Sequence, residues 1–161
     1  MAIPARLNDS VVRAGCNISP SQSSAQLTKS AMSDPKKYKI LIVDDDKFLL
    51  DMYAVKFKNS GFEVDLAQGA LEGIEKLKNS DNKPDGILLD MVMPGMDGMD
   101  FLNAVKKDKL AEQASIIVLT NQEQSGETDK TKGFRISGYI IKAATVPSGV
   151  VEDVRKILEK K

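Results

Sequence analysis

Residues 40–46 read ILIVDDD: Ile40, Leu41, Ile42 and Val43 run straight into Asp44, Asp45 and Asp46. Four apolar side chains in a row, three of them β-branched, suit a strand covered on both faces. Three adjacent carboxylates cannot follow them into a core, because burying an unpaired charge costs too much. The strand must therefore surface at Asp44. The acids there are either simply solvated or gathered around something positive.

Outward from this stretch the chain alternates. The first apolar run covers 38–43, and others follow at 62–67 (FEVDLA), 86–89 (GILL), 115–120 (SIIVLT) and 139–141 (YII). Each is short and rich in Ile, Val and Leu, as strands are. Helical spacing fills the gaps. Leu50, Tyr53, Ala54 and Phe57 share one face, as do Ala70, Ile74 and Leu77, then Met99, Leu102 and Val105. Val150, Val151, Val154, Ile157 and Leu158 mark a last helix, with Ser148 as its candidate N-cap. The stretch 126–137 is mostly polar, with Phe134 and Ile136 as its few anchors, so a helix there should be marginal and mobile. Strands alternating with helices of this length imply βαβ units and a parallel sheet. FEVDLA alternates, with Phe62, Val64 and Leu66 opposite Glu63 and Asp65, which suggests an edge strand.

The 161 residues suffice for one domain with a sizeable core. The 23 basic and 23 acidic side chains cancel, so charge gives no argument for direct nucleic-acid or membrane binding. Cys16 is the sole cysteine and histidine is absent. That excludes an internal disulfide, His–Cys zinc sites, a Ser-His-Asp triad and a phosphohistidine on this chain. No apolar run approaches bilayer length, so membrane insertion is not expected. Residues 1–35 are rich in Ser, Gln and Pro without apolar periodicity and read as a disordered N-terminal extension. They lack the apolar core of a secretory signal, and Arg6 and Arg13 are thin support for a transit peptide. A tail, an expression remnant or residues upstream of a start at Met32 all fit. The folded domain is then 36–161.

In an open parallel sheet the binding crevice lies at the carboxyl ends of the strands. The apolar runs end at Asp44, Asp45 and Asp46, at Asp90, at Thr120 and at Lys142. One rim should therefore carry several carboxylates, a hydroxyl and an ammonium. Two carboxylates about 5 Å apart repel by roughly 3 kcal/mol at an effective dielectric near 20. Such a cluster persists if protonated, hydrated or occupied by a cation, and a hard divalent ion such as Mg²⁺ fits best. The nearby hydroxyl and ammonium suit phosphoryl oxygens. Each residue alone has a plainer role. Asp46 suits the N-cap of the next helix. Asp97 suits a cap too, MPGMDG at 93–98 reads as a turn, and the methionines there read as packing. The coincidence of four strand ends useful for one chemistry argues otherwise.

The motifs ILIVDDD, ILLDMVMPGMDG, IIVLT and GYIIK, in this order, resemble the receiver domain of two-component response regulators, in its chemotaxis-regulator-like form. The resemblance covers 36–161. It implies a doubly wound, flavodoxin-like α/β fold: a five-stranded parallel sheet of order 2-1-3-4-5 flanked by five helices. It implies Asp90 as phosphoacceptor, with Asp44, Asp45, Asp90 and the Val92 backbone carbonyl holding Mg²⁺. Thr120 and Lys142 would bind phosphoryl oxygens, and Tyr139 would be the aromatic switch that turns inward as Thr120 moves. The implied donor is a sensor histidine kinase or histidine phosphotransfer protein, and the implied location is cytoplasmic. Output would go to an effector protein through the face of the fourth helix, fifth strand and fifth helix. Apart from phosphotransfer and slow autodephosphorylation, no enzyme activity is implied.

Two departures stand out. The family usually has proline after the lysine, often in cis, where this chain has Ala143. It often has a small residue after the threonine, where this chain has Asn121, which should restrict attack on an aspartyl phosphate. Two other classes compete. A phosphohydrolase of the haloacid dehalogenase type would use Asp44 as nucleophile within Asp44-Asp45-Asp46, but Lys47 and Phe48 do not match its continuation and ILLDMVMPGMDG would go unexplained. A pseudo-receiver would bind partners without phosphorylation, and Ala143 is its support.

Overall fold

The computed structural model describes residues 36–81, 83–121 and 125–161. The disorder expected for 1–35 lies outside the described residues. Apolar runs and amphipathic segments form the alternation that their spacing dictates. In chain order they are β1 (Lys39–Asp44), α1 (Lys47–Asn59), β2 (Glu63–Gln68), α2 (Ala70–Asn79), β3 (Gly86–Asp90), α3 (Gly98–Lys107), β4 (Ser115–Thr120), α4 (Ser125–Lys130), β5 (Ile136–Ile141) and α5 (Pro147–Glu159). The strands form one parallel sheet of order β2-β1-β3-β4-β5, as the resemblance implies.

The central strands are buried on both faces, which is why their sequences are apolar throughout. Leu41, Val43, Ile87, Leu89, Ile116 and Val118 meet Ile74, Leu77, Phe101 and Leu102 of α2 and α3. Ile40, Ile42, Leu88, Ile117 and Leu119 meet Tyr53, Phe57, Val150 and Val154 of α1 and α5. β2 is an edge strand, as its alternation suggested, and its Asp65 pairs with Lys76 of α2 at 2.8 Å.

Three local expectations need correction. β1 and β3 continue through Asp44 and Asp90 rather than stopping before them. β5 starts at Ile136, not Tyr139. Ser137 and Gly138 break its apolar run, and a Cβ on Gly138 would fall 2.5 Å from Ile157 Cδ1 of α5, so the tip of that side chain would have to shift. Ser148 does not cap α5; Val146 is the N-cap and Pro147 takes the first turn. Proline's fixed φ and missing N–H suit that position without a side-chain acceptor. Asp46 does cap α1, accepting from the Phe48 and Leu49 amides at 2.9 and 3.3 Å. Asp97 and Asp100 form a reciprocal capping box on α3. The polar stretch near 126 yields a helix of only six residues, α4.

Candidate functional site

Register brings the acids together. Val43 pairs with Leu89, so the next residues, Asp44 and Asp90, leave adjacent strands at the same level. The strand does not surface at Asp44 as expected: Asp44 is fully buried and Asp90 is 4% exposed, because Lys142 is there to pair with both. Asp45 follows half-buried in the turn, while Asp46 is drawn away to cap α1. The result separates the three consecutive acids into two for the cluster and one for the helix. Carboxylate oxygens of Asp44, Asp45 and Asp90 all lie within 4.8 Å of one another.

Lys142 completes the group from the far side of the sheet. Its amide donates to the Thr120 carbonyl at 2.8 Å, which fixes the end of β5 beside β4. Its Nζ then lies 2.8 Å from Asp44 Oδ2 and 3.1 Å from Asp90 Oδ2. No peptide bond among the described residues is cis, so Lys142 reaches the cluster with Ala143 in trans. The loop after β3 is closed by the Gly98 amide, which donates to the Met91 carbonyl at 3.2 Å. A Cβ on Gly98 would fall 2.7 Å from Met91 Cα and 2.9 Å from the Asp90 carbonyl, so only glycine permits that closure. Met91 and Met93 are buried packing, as expected.

The electrostatics follow from burial. Burial pushes the Asp90 carboxyl up from its ordinary 3.8, and the Asp44 charge adds to this. The Lys142 ammonium and the Val92 amide, which donates to Asp90 Oδ1 at 3.1 Å, oppose the rise without cancelling it. Burial pulls Lys142 down, but its bonds to Asp44 and Asp90 outweigh that and hold it above 10.5. Three carboxylates against one ammonium leave the group net negative. Hard oxygen donors at this spacing suit a small divalent cation.

Of the remaining sequence candidates, Thr120 is buried at the end of β4, one step past Leu119, which pairs with Asp90. The Val92 side chain points outward and is 61% exposed. Tyr139 stands apart from the acids. Its ring packs against the core on the α2–α3 side, and its hydroxyl meets that of Thr131. Sequence reading missed Tyr53, which it placed only on the apolar face of a helix. Tyr53 is buried, and its phenol is pushed above 10.0 by burial, with Lys142 opposing and Asp44 and Asp90 reinforcing. Nothing in the apolar face of Leu50, Tyr53, Ala54 and Phe57 singled it out, since Phe57 is aromatic too.

The profile of the response regulator receiver domain family matches residues 40–152. The sensor histidine kinase CheAY of Helicobacter pylori is 34% identical over 128 residues, covering 78% of this chain and 16% of that protein. The phosphate regulon transcriptional regulatory protein PhoB of Pseudomonas aeruginosa is 32% identical over 123 residues, covering 75% and 52%. The chain thus spans about half or less of the length of these two relatives. Among solved structures, a CheY-like receiver domain protein of Methanospirillum hungatei JF-1 superposes with a TM-score of 0.68 at 28% identity, covering 78% of this chain and 96% of that one. The chemotaxis protein CheY4 of Vibrio cholerae gives 0.68 at 24% identity, covering 76% and 99%, a likeness of fold. The chain belongs to the response regulator receiver domain family.

Proposed function

We propose that the protein is a phosphoacceptor in a two-component phosphorelay and that Asp90 takes the phosphoryl group. The observation that carries this is the buried Asp90 carboxylate, flanked by Asp44, Asp45 and Lys142 at the strand ends. An Asp90 oxygen attacks the phosphorus of a phosphohistidine on a sensor histidine kinase or histidine phosphotransfer protein. The P–N bond breaks, its electron pair returns to the imidazole, and an aspartyl phosphate remains. An ionised carboxylate needs no base for this, so the chain's work is positioning and charge neutralisation. Lys142 pairs with one phosphoryl oxygen and Thr120 donates to another. Asp44, Asp45, Asp90 and the Val92 carbonyl would hold Mg²⁺, which when bound neutralises charge on the transferring group.

The bonds of Lys142 to Asp44 and Asp90 are those a metal and a phosphoryl group would replace. Once phosphorylated, the rim gains charge that biases a protein-binding surface formed by α4, β5 and α5. Tyr139 lies on that face and is the switch. A phosphorelay role carries with it a cytoplasmic location, an effector protein as output and slow loss of the phosphate by the chain itself. Labelling with radioactive acetyl phosphate in Mg²⁺ tests the assignment. Asp90→Ala should abolish labelling, whereas Asp44→Ala should slow it by weakening metal binding. Loss of labelling only in Asp44→Ala would instead make Asp44 the nucleophile, as in a phosphohydrolase. No labelling of the parent would leave a partner-binding pseudo-receiver.

A further inference from the structure

We propose that Thr131 is a positioning residue for the switch: its hydroxyl captures that of Tyr139 and ties the ring to the end of α4. This rests on Asp90, Thr120 and Lys142 forming the phosphoryl site. Thr131 sits in the turn after α4, within a stretch that is otherwise polar and largely exposed, yet it is 1% exposed. Its hydroxyl donates to the Thr128 carbonyl at 3.2 Å. That commits its proton and leaves its oxygen as an acceptor. The Tyr139 hydroxyl, bonded to the same oxygen, is therefore the donor. The three groups form a directed chain, Tyr139 to Thr131 to Thr128, in which each bond polarises the next.

The chain has a route to the site. Thr120 ends β4, and α4 begins at Ser125, five positions further along the chain. The far end of that helix carries Thr128, and Thr131 follows in the next turn. Tyr139 pairs with Val118 on β4, two residues before Thr120. Thr120 and Tyr139 are thus linked twice, through the β4–β5 ladder and through α4. A movement of Thr120 toward a phosphoryl oxygen that displaces α4 must carry Thr131 with it. Tyr139 either follows or loses its acceptor. Because such coupling is reciprocal, a Thr131–Tyr139 bond that is stronger in the phosphorylated form than in the free one raises affinity for a phosphoryl group at Asp90, and cutting it lowers that affinity. The ring here is half-buried and leans on the core. Inward is the position assigned to the phosphorylated form, so cutting the bond should weaken that affinity.

Calorimetric titration with beryllium fluoride in Mg²⁺, a mimic of the phosphoryl group, tests this on the full chain. Thr131→Val keeps the shape and removes the hydroxyl. It should weaken binding about fivefold, the scale of one ordinary hydrogen bond. Thr131→Ser should bind like the parent. Tyr139→Phe should match Thr131→Val, and the double variant should lose no more than either alone. Tyr139→Phe leaves the Thr131–Thr128 bond intact, so it answers the question even if Thr131→Val folds poorly. Unchanged binding in Thr131→Val or Tyr139→Phe, or independent addition of their effects, would overturn the proposal while sparing the site. A parent chain that does not bind the mimic would overturn both.

Discussion

Replacing Asp90 by Asn removes one charge from the cluster and almost none of its volume. Its carboxylate lies within 4.8 Å of those of Asp44 and Asp45. At an effective dielectric of about 20, each such pair repels by about 3.5 kcal/mol. Lys142, 3.1 Å away, returns about 5 kcal/mol on the same scale. The charge is therefore opposed even before desolvation, which opposes it further. Asp45 is half-buried and solvent screens part of its repulsion. A net gain of about 1–3 kcal/mol is expected for Asp90→Asn, or roughly 4–10 °C in Tm.

The pH dependence has a definite sign. The folded chain holds the Asp90 proton more tightly than the unfolded one, whose pKa is near 3.8. Ionisation of Asp90 thus destabilises the fold. The penalty is absent below the unfolded value and grows as pH rises from there through the raised folded pKa. Thermal and urea denaturation in EDTA should show the variant more stable near neutrality, with the gap closing toward about pH 4. A variant equal to or weaker than the parent near neutrality would refute the reasoning. So would a gap that does not change with pH.

Lys142→Met should bind Mg²⁺ about tenfold more tightly by calorimetry, because the ammonium no longer competes for Asp44 and Asp90, and should lose about 3 kcal/mol of stability near neutrality in EDTA by urea denaturation. Asp46→Ala should lose about 1 kcal/mol through its missing helix cap, again by urea denaturation, and leave Mg²⁺ affinity unchanged, since its side chain serves α1 and not the cluster. Asn121→Ala should shorten the life of the aspartyl phosphate, timed by loss of radiolabel, because Asn121 directly follows Thr120 and a smaller side chain there leaves more room for attacking water. Equal or slower loss from the variant would contradict that role.

Much of this was written plainly in the chain. Runs such as ILIV and IIVL fix the central strands because nothing in them tolerates water. The acids at their ends mark the rim because a carboxylate enters the interior only with a partner, which Lys142 supplies to Asp44 and Asp90. Which of the three consecutive acids serves which purpose was legible only through Asp46's aptitude as a cap. The start of β5 was hidden because Ser137 and Gly138 interrupt its apolar run. Ser148 misled because a capping propensity was weighed without the proline beside it. Tyr53 and Thr131 were invisible for a different reason. Their partners lie on other elements, and only the packed fold puts Tyr53 under the acids and Thr131 against Tyr139.

The most direct measurement is intact-mass analysis with peptide mapping after incubation with acetyl phosphate, once in Mg²⁺ and once in EDTA. A single phosphoryl group on the peptide holding Asp90, present with metal and lost without it, is the predicted result. Modification at Asp44 or elsewhere, or labelling indifferent to the metal, would contradict the account.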